Sequence, residues 1–159
     1  WETGAITEIL CERFAQAGLG RAPDHAERAD WLIYLHFSET ISQHTAALTQ
    51  QHIALYDDAM RSPVIMKLEA KRLAKCLGVI EARVAVRDYL LEGGFSAADV
   101  SVGQAVYMAR HFVRLDGFPA LSAWYARITA RPGFVAATPI TGEEDQLYTR
   151  DYYEPWEGK

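Results

Sequence analysis

The chain has 159 residues, half of them hydrophobic, which favours one globular unit with a sizeable core. Its formal charge is −5, from 16 basic and 21 acidic residues, with no basic block, which argues against a nucleic-acid or anionic membrane partner. The sequence has no run of 18 or more apolar residues, so it predicts no transmembrane helix. The two cysteines, Cys11 and Cys76, are too few for a disulfide framework. Free thiols are typical of a reducing compartment such as the cytoplasm. Because the chain starts at Trp1 without a secretory signal, we expect it to be a fragment or processed product of a longer protein.

Apolar residues recur at helical spacing along almost the whole chain and no period-2 strand is evident, so the pattern predicts an all-α fold. A first helix ends near Gly18, and a connector leads to Pro23. A long helical segment follows, to about Asp57. A third helix begins at Ser62, a hydroxyl N-cap before proline, and continues to the Gly93–Gly94 pair.

A capping box opens the next predicted helix. The Ser96 hydroxyl can accept a hydrogen bond from the N–H of Asp99, and the Asp99 carboxylate can accept one from the N–H of Ser96. By itself this pair is a folding signal and not a catalytic one. A shorter helix follows Pro119 and is broken at Arg131–Pro132. The tail after Pro139 alternates polar and aromatic residues without a helical period.

Other chemistries find little support in the sequence. His36, His44 and His52 recur every eight residues, and no pair has the i, i+4 spacing of a helical metal site, so we predict no metal. No G-x-S-x-G, P-loop or G-x-G-x-x-G motif is present. The acidic pair at 57–58 and the acidic run at 143–145 are typical of solvated surface charge.

Three motifs together resemble the helical domain of cytosolic glutathione transferases. They are residues 94–99 (GFSAAD), 119–124 (PALSAW) and 127–134 (RITARPGF). Residues 31–39 (WLIYLHFSE) are most similar to the bacterial members. The opening residues 2–6 (ETGAI) resemble the start of the last helix of that family's thioredoxin-like domain. The resemblance is collinear to about Ala137.

The resemblance implies a particular division of the chain. Residues 1–17 would be the last helix of a truncated thioredoxin-like domain, residues 18–22 a linker, and residues 23–159 the C-terminal helical domain with its aromatic tail. In the family the thioredoxin-like domain supplies the catalytic Tyr, Ser or Cys, so we expect no catalytic residue in this chain. The chain alone is therefore expected to be inactive.

The activity implied for the complete protein is addition of the glutathione thiolate to an electrophilic, mostly apolar small molecule. Such a transferase would be a cytoplasmic homodimer acting in detoxification, with glutathione as co-substrate. Glu2 and Thr3 align with the acidic–hydroxyl pair that holds the γ-glutamyl end of glutathione. A helix N-terminus suits a carboxylate, and the Thr3 hydroxyl can donate to it. Alternatively, Thr3 could only cap its helix.

The same resemblance assigns a pocket for the electrophile. Its lining residues would be Phe37, Thr40, Ile41, Met108 and Phe112. A pocket of this kind is mostly apolar, but a Met and aromatic stripe at helical spacing also fits an ordinary core. The dimer would use the helices that follow Pro23 and Ser62. An alternative function is a non-catalytic protein-interaction module, because helical domains of this type also occur as adaptors.

Overall fold

A computed structural model describes residues 2–138 and 147–153. Over those ranges the chain is helical and contains no strand, so the all-α prediction is confirmed. The α-helices are α1 (Thr3–Arg13), α2 (Arg28–Thr49), α3 (Pro63–Val84), α4 (Ala97–Ala109), α5 (Pro119–Thr129) and α6 (Pro132–Ala137). One π-helical turn, Gln50–Ala54, extends α2, and 3-10 turns occupy Ala15–Ala17 and Asp58–Met60. Trp1, the acidic run at 143–145 and Trp156 lie outside the described residues.

The core is built around α2, which packs against both α3 and α4, while α5 packs against the same two helices. Trp31 and Leu35 on α2, Leu77 on α3 and Trp124 on α5 have no exposed surface. Burying each large apolar side chain stabilises the fold by about 1.5–3 kcal/mol. The indole N–H of Trp31 also donates to the Leu19 carbonyl at 3.0 Å, which fixes the connector after α1 against the bundle.

The start of α3 follows the sequence prediction. The Ser62 hydroxyl accepts a hydrogen bond from the N–H of Ile65 at 3.4 Å, and Pro63 occupies the first helical position. A proline fits there because its missing N–H would have no partner within the helix.

The end of α3 differs from the prediction. The helix stops at Val84 rather than at the Gly93–Gly94 pair, although Leu91 continues the apolar stripe and both Leu90 and Leu91 are buried. The N–H of Leu90 donates to Asp99 Oδ1 at 3.0 Å, and the carbonyl of Leu90 accepts from Arg83 Nε at 2.8 Å. These tertiary hydrogen bonds satisfy the buried backbone groups of Leu90, so the segment does not need to be helical.

The start of the long helical segment also differs from the prediction. The long segment becomes helical only at Arg28, after turns in the connector. The helix that starts at Ala97 ends at Ala109, so Phe112 lies just beyond it. The predicted break at Arg131–Pro132 is present, since α5 ends at Thr129, and Pro132 then starts the short helix α6, because proline is tolerated in the first turn.

Candidate functional site

The N-terminus of α1 carries the two residues predicted to hold glutathione. Glu2 has φ 67° and ψ 70°, a left-handed conformation that is uncommon for a residue with a side chain. Thr3 is the first helical residue, and its hydroxyl donates to Glu39 Oε1 of α2 at 2.9 Å, so Thr3 does not cap α1. Among the described residues, no side chain caps this helix, so its first N–H groups remain available to an anion.

Polar contacts hold α1 against α2. Glu8 Oε1 lies 2.8 Å from His36 Nε2, and Arg28 reaches Glu12 at 3.4 Å. A Cβ on Gly4 would lie 2.9 Å from the His36 ring, so glycine permits the close approach of the two helices. These contacts fix the N-terminus of α1 beside the middle of α2.

The opposite side of α1 is an apolar face without cover. None of the residues of α1 is buried. Four large apolar side chains on it are about half exposed, namely Ile6 (45%), Ile9 (60%), Leu10 (49%) and Phe14 (47%). Contiguous apolar surface of this kind marks an interaction site in soluble proteins.

The five predicted pocket residues have unequal exposure. Thr40 is exposed, and Phe37 and Met108 are half-buried. Ile41 has no exposed surface and belongs to the core, so its side chain does not face a cleft in this arrangement. Phe112 is only 2% exposed.

The aromatic tail packs against the end of the bundle. The ring of Phe112 lies 5.5 Å from that of Tyr148 and 5.6 Å from that of Tyr152. The Tyr148 hydroxyl is hydrogen-bonded to Thr49 at 2.9 Å, and the N–H of Tyr152 donates to the His111 carbonyl at 2.6 Å. Tail residues 147–153 therefore cover the end of α2 and the turn after α4. Sequence reasoning identified the aromatic content of the tail and did not place it.

The capping box at α4 is present and extends further than its sequence shows. Asp99 Oδ2 accepts from the N–H of Ser96 at 2.9 Å, and the Ser96 hydroxyl accepts from the N–H of Ala98 at 3.3 Å. Asp99 Oδ1 accepts from Trp124 Nε1 at 2.9 Å in addition to the N–H of Leu90. Because Asp99 is completely buried and both of its oxygens are bonded within the fold, its role is structural.

Two carboxylates that the sequence analysis did not single out stabilise neighbouring segments. Burial raises the pKa of Glu69, but hydrogen bonds from His44 at 2.6 Å and Arg72 at 2.6 Å outweigh it, so this pKa lies below 4.5. Burial likewise raises the pKa of Glu27, but hydrogen bonds from the N–H of Gly93 and from Arg21 outweigh it, so this pKa is also lowered. One partner of each carboxylate is distant in sequence, His44 for Glu69 and Gly93 for Glu27, which is why no local motif reveals these contacts.

The cysteines and histidines give no alternative reaction centre. Burial raises the pKa of both thiols, Cys11 and Cys76, and the Glu12 carboxylate raises that of Cys11 further. A thiol with a raised pKa is a poor nucleophile near neutral pH. Among residues 2–138 and 147–153, no group of three His, Cys, Asp or Glu side chains could hold a metal ion. No helix in those ranges is both long and apolar enough to cross a membrane.

Comparisons with known proteins agree with this architecture. Residues 43–127 match the model of the glutathione S-transferase C-terminal domain. Glutathione S-transferase 3 of Zea mays is 30% identical over 152 residues, which cover 88% of this chain and 67% of that protein.

Solved structures share the fold. The glutathione transferase URE2P8 of Phanerochaete chrysosporium, solved with oxidized glutathione, has a TM-score of 0.75 at 20% identity. A glutathione transferase of Burkholderia graminis, solved with two glutathione molecules per subunit, has a TM-score of 0.73 at 24% identity. Each alignment covers 86% of this chain, but only 63% and 58% of the respective solved chains. Because the family model matches more than half of this chain's residues, the chain belongs to the glutathione S-transferase family.

Proposed function

We propose that this chain is the helical half of a glutathione transferase, which adds the glutathione thiolate to an electrophilic, mostly apolar small molecule. The observation that carries the proposal is the uncapped N-terminus of α1, where the strained Glu2 and the Thr3 hydroxyl lie together beside α2. Strained backbone is retained where surrounding structure holds it, and it concentrates at binding sites.

The γ-glutamyl end of glutathione fits the chemistry of this terminus. Its carboxylate is attracted by the free N–H groups and positive end of α1. The Thr3 hydroxyl, which donates to Glu39 in the structure, would turn its proton to that carboxylate. The Glu2 carboxylate would accept from the γ-glutamyl ammonium, and charge-assisted bonds of this kind are the strong ones.

The exposed apolar face of α1 supports the proposed domain division. Residues 1–17 would close a thioredoxin-like domain, with residues 18–22 as the linker and residues 23–159 as the helical domain. Packing against that domain would bury the exposed half of each large apolar side chain on α1, a gain of roughly 1 kcal/mol each. The catalytic Tyr, Ser or Cys would come from that domain, and holding both reactants together would lower the barrier.

The electrophile would bind near the middle of α2. Phe37 and Thr40 offer accessible surface on α2, and Met108 offers it on α4. Ile41 would support this wall from within the core, and Phe112 would form its closed end beneath the tail. The mix of apolar surface and one hydroxyl suits an apolar electrophile.

A homodimer through α2 and α3 is part of the proposal. Exposed apolar side chains lie on both helices, namely Ile33 (59%) on α2 and Val64 (75%), Ile65 (44%), Leu68 (43%) and Val79 (49%) on α3. Burying them between two copies would remove apolar surface from water, which is the main drive for association.

Retention on immobilised glutathione and a conjugation assay with 1-chloro-2,4-dinitrobenzene test the proposal. A protein that carries both halves should be retained and should conjugate. The 159-residue chain alone should show no measurable conjugation, because its contacts cannot offset the several kcal/mol lost on immobilising a small ligand. A two-domain protein that passes through the resin and conjugates nothing would instead identify a non-catalytic interaction module.

A further inference from the structure

α2 and α4 lie side by side and run in the same direction. Near their starts, both helices are hydrogen-bonded to the Leu19 carbonyl. Tyr148 connects their ends, because its hydroxyl is hydrogen-bonded to Thr49 and its ring stacks on that of His111 at 5.1 Å. The two helices therefore form a seam that runs from Leu19 to Tyr148.

α1 covers only the first part of this seam. Its last turn lies at the start of α2, where Arg28 meets Glu12, and its first residue, Thr3, lies at Glu39 in the middle of α2. From Glu39 to Thr49 the helix continues for about 15 Å, at 1.5 Å per residue. Three extended residues reach about 10 Å. A glutathione molecule held at Thr3 that follows the seam would therefore leave room for a small electrophile at the far end.

His111 and Asp151 form a polar pair at that far end. His111 Nδ1 lies 3.0 Å from Asp151 Oδ1, and Nδ1 carries the proton of this bond because a carboxylate only accepts. The His111 carbonyl also accepts from the N–H of Tyr152 at 2.6 Å, which holds the residue in place. The side chain is 16% exposed, and Nε2 has no hydrogen-bond partner among residues 2–138 and 147–153. An imidazole that a carboxylate orients, with its second nitrogen accessible, is suited to proton transfer.

Asp151 is the charged group that contacts His111. The other ionisable side chains on the elements around the ring are Tyr148, Arg150, Tyr152 and Tyr153 of the tail, Arg110, Arg114 and Asp116 after α4, and His52 at the end of α2. Arg150 and Arg114 lie over the rings of Tyr152 and Tyr153. Burial, with a further contribution from Asp151, raises the pKa of Tyr153, so this phenol stays protonated at neutral pH. The charge paired with the imidazole is therefore that of Asp151.

We propose that His111 donates a proton to the carbonyl oxygen of an α,β-unsaturated ketone during its conjugation, and that Asp151 is the positioning residue for its ring. The inference rests on the proposed transferase function and adds a residue that acts on the electrophile. The thiolate sulfur forms a bond to the β-carbon, and the electron pair of the carbon–carbon double bond shifts toward the carbonyl oxygen. The Nε2 proton passes to that oxygen, the enol rearranges to the ketone, and His111 regains from solvent a proton equivalent to the one that the thiol released.

A halide electrophile does not need this proton. In benzyl chloride the sulfur displaces chloride, which leaves with the bonding electron pair as a stable anion, and the molecule has no oxygen atom. trans-4-Phenyl-3-buten-2-one carries the same phenyl ring on an unsaturated ketone. His111 should therefore affect conjugation of the ketone and not that of the halide.

His111→Asn tests the proposal in a protein that carries both halves. Asparagine keeps a donor near the Nδ1 position for Asp151 and removes Nε2. The kcat/KM for the ketone should fall about a hundredfold, as on loss of a general acid, while that for benzyl chloride should stay at the wild-type value. Asp151→Asn should lower only the ketone value, and by less. His25→Asn is the matched control and should change neither value, because His25 lies in the connector before α2, where it accepts from the N–H of Glu27.

The pH profile distinguishes a proton donor from a structural histidine. Both reactions need the thiolate, so its ionisation cancels in the ratio of the ketone kcat/KM to the halide kcat/KM. In the wild type this ratio should fall as the pH rises from about 5 to 8, the range in which histidines lose their proton. In His111→Asn the ratio should not change with pH.

The halide reaction also separates this inference from the proposed function. If the wild type conjugates benzyl chloride, but His111→Asn changes both kcat/KM values equally or neither of them, the transferase function stands and His111 is structural. A wild-type ratio that is independent of pH would overturn the inference in the same way. A protein with both halves that conjugates neither electrophile would overturn the proposed function and this inference together.

Discussion

At the scale of single residues, Asp99 joins three parts of the fold. Its carboxylate binds the N–H of Ser96 at the start of α4, the N–H of Leu90 in the turn after α3 and the indole of Trp124 on α5. The Ser96–Asp99 spacing predicts the first bond, because a capping box is local. The other two bonds depend on tertiary packing, and no local pattern announces them.

Asp99→Ala should therefore lower the free energy of unfolding by considerably more than the loss of a helix cap does. We expect a loss of about 3 kcal/mol or more, because several buried donors lose their partner, whereas Ser96→Ala should cost about 1 kcal/mol. Urea unfolding with an unchanged slope measures both. An Asp99→Ala midpoint equal to that of Ser96→Ala would show that the carboxylate does not connect these segments.

Glu69 should make stability depend on pH. Its pKa in the folded protein lies below the ordinary 4.5, so its contribution is present above that value and is lost as pH falls through 4.5 toward the folded pKa. Urea midpoints between pH 6 and pH 3 should fall more steeply for the wild type than for Glu69→Gln. Glu92→Gln is the control, because the native Glu92 side chain is 81% exposed, and its urea midpoints should follow those of the wild type. Parallel curves for Glu69→Gln and the wild type would contradict this account.

At the scale of helices, prediction from sequence worked where the signal is local. Ser62 and Pro63 start α3 as predicted, and the helix after Pro119 forms. The end of α3 could not be predicted, because Leu91 keeps the apolar spacing of the helix although it lies beyond Val84, in a segment where it and Leu90 are buried. The turn at Leu90 is fixed by hydrogen bonds from Arg83 and to Asp99, which only the folded chain brings together.

Two glycines within helices provide a matched test of packing. A Cβ on Gly78 of α3 would meet nothing within 4 Å, so Gly78→Ala should stabilise the protein by about 0.5–1 kcal/mol. A Cβ on Gly103 of α4 would lie 2.5 Å from Cδ1 of Ile128 on α5. Gly103→Ala should stabilise the protein less than Gly78→Ala or should destabilise it, because the Ile128 side chain must move. Thermal unfolding compares them, and equal stabilisation would mean that α4 and α5 are not in close contact at Gly103.

At the scale of the whole molecule, the family and its fold could be predicted from ordered motifs, whereas the pocket could not. Helical spacing places Phe37, Thr40 and Ile41 on neighbouring turns of α2, but it cannot tell which of them the bundle buries. Ile41 is in the core and Thr40 is exposed, although they are adjacent in sequence.

Assembly is a property of the whole molecule. We expect a dimer by light scattering at micromolar concentration, and Ile33→Glu combined with Val79→Glu should give a monomer, because unpaired carboxylates are costly in an interface. Val100→Glu on α4, where the native side chain is 51% exposed, should remain dimeric. A monomeric wild-type protein, or a double variant that still dimerises, would contradict an interface on α2 and α3.

The central claim is that the N-terminus of α1 binds glutathione, and steady-state kinetics of Thr3→Ala in a protein that carries both halves test it most directly. Losing a hydrogen bond to a charged group costs about 1.5–3 kcal/mol, so the glutathione KM should rise roughly tenfold to a hundredfold. Thr3→Ser keeps the hydroxyl and should stay close to the wild type. An unchanged KM in Thr3→Ala would show that the hydroxyl serves only its contact with Glu39, and that the glutathione site lies elsewhere.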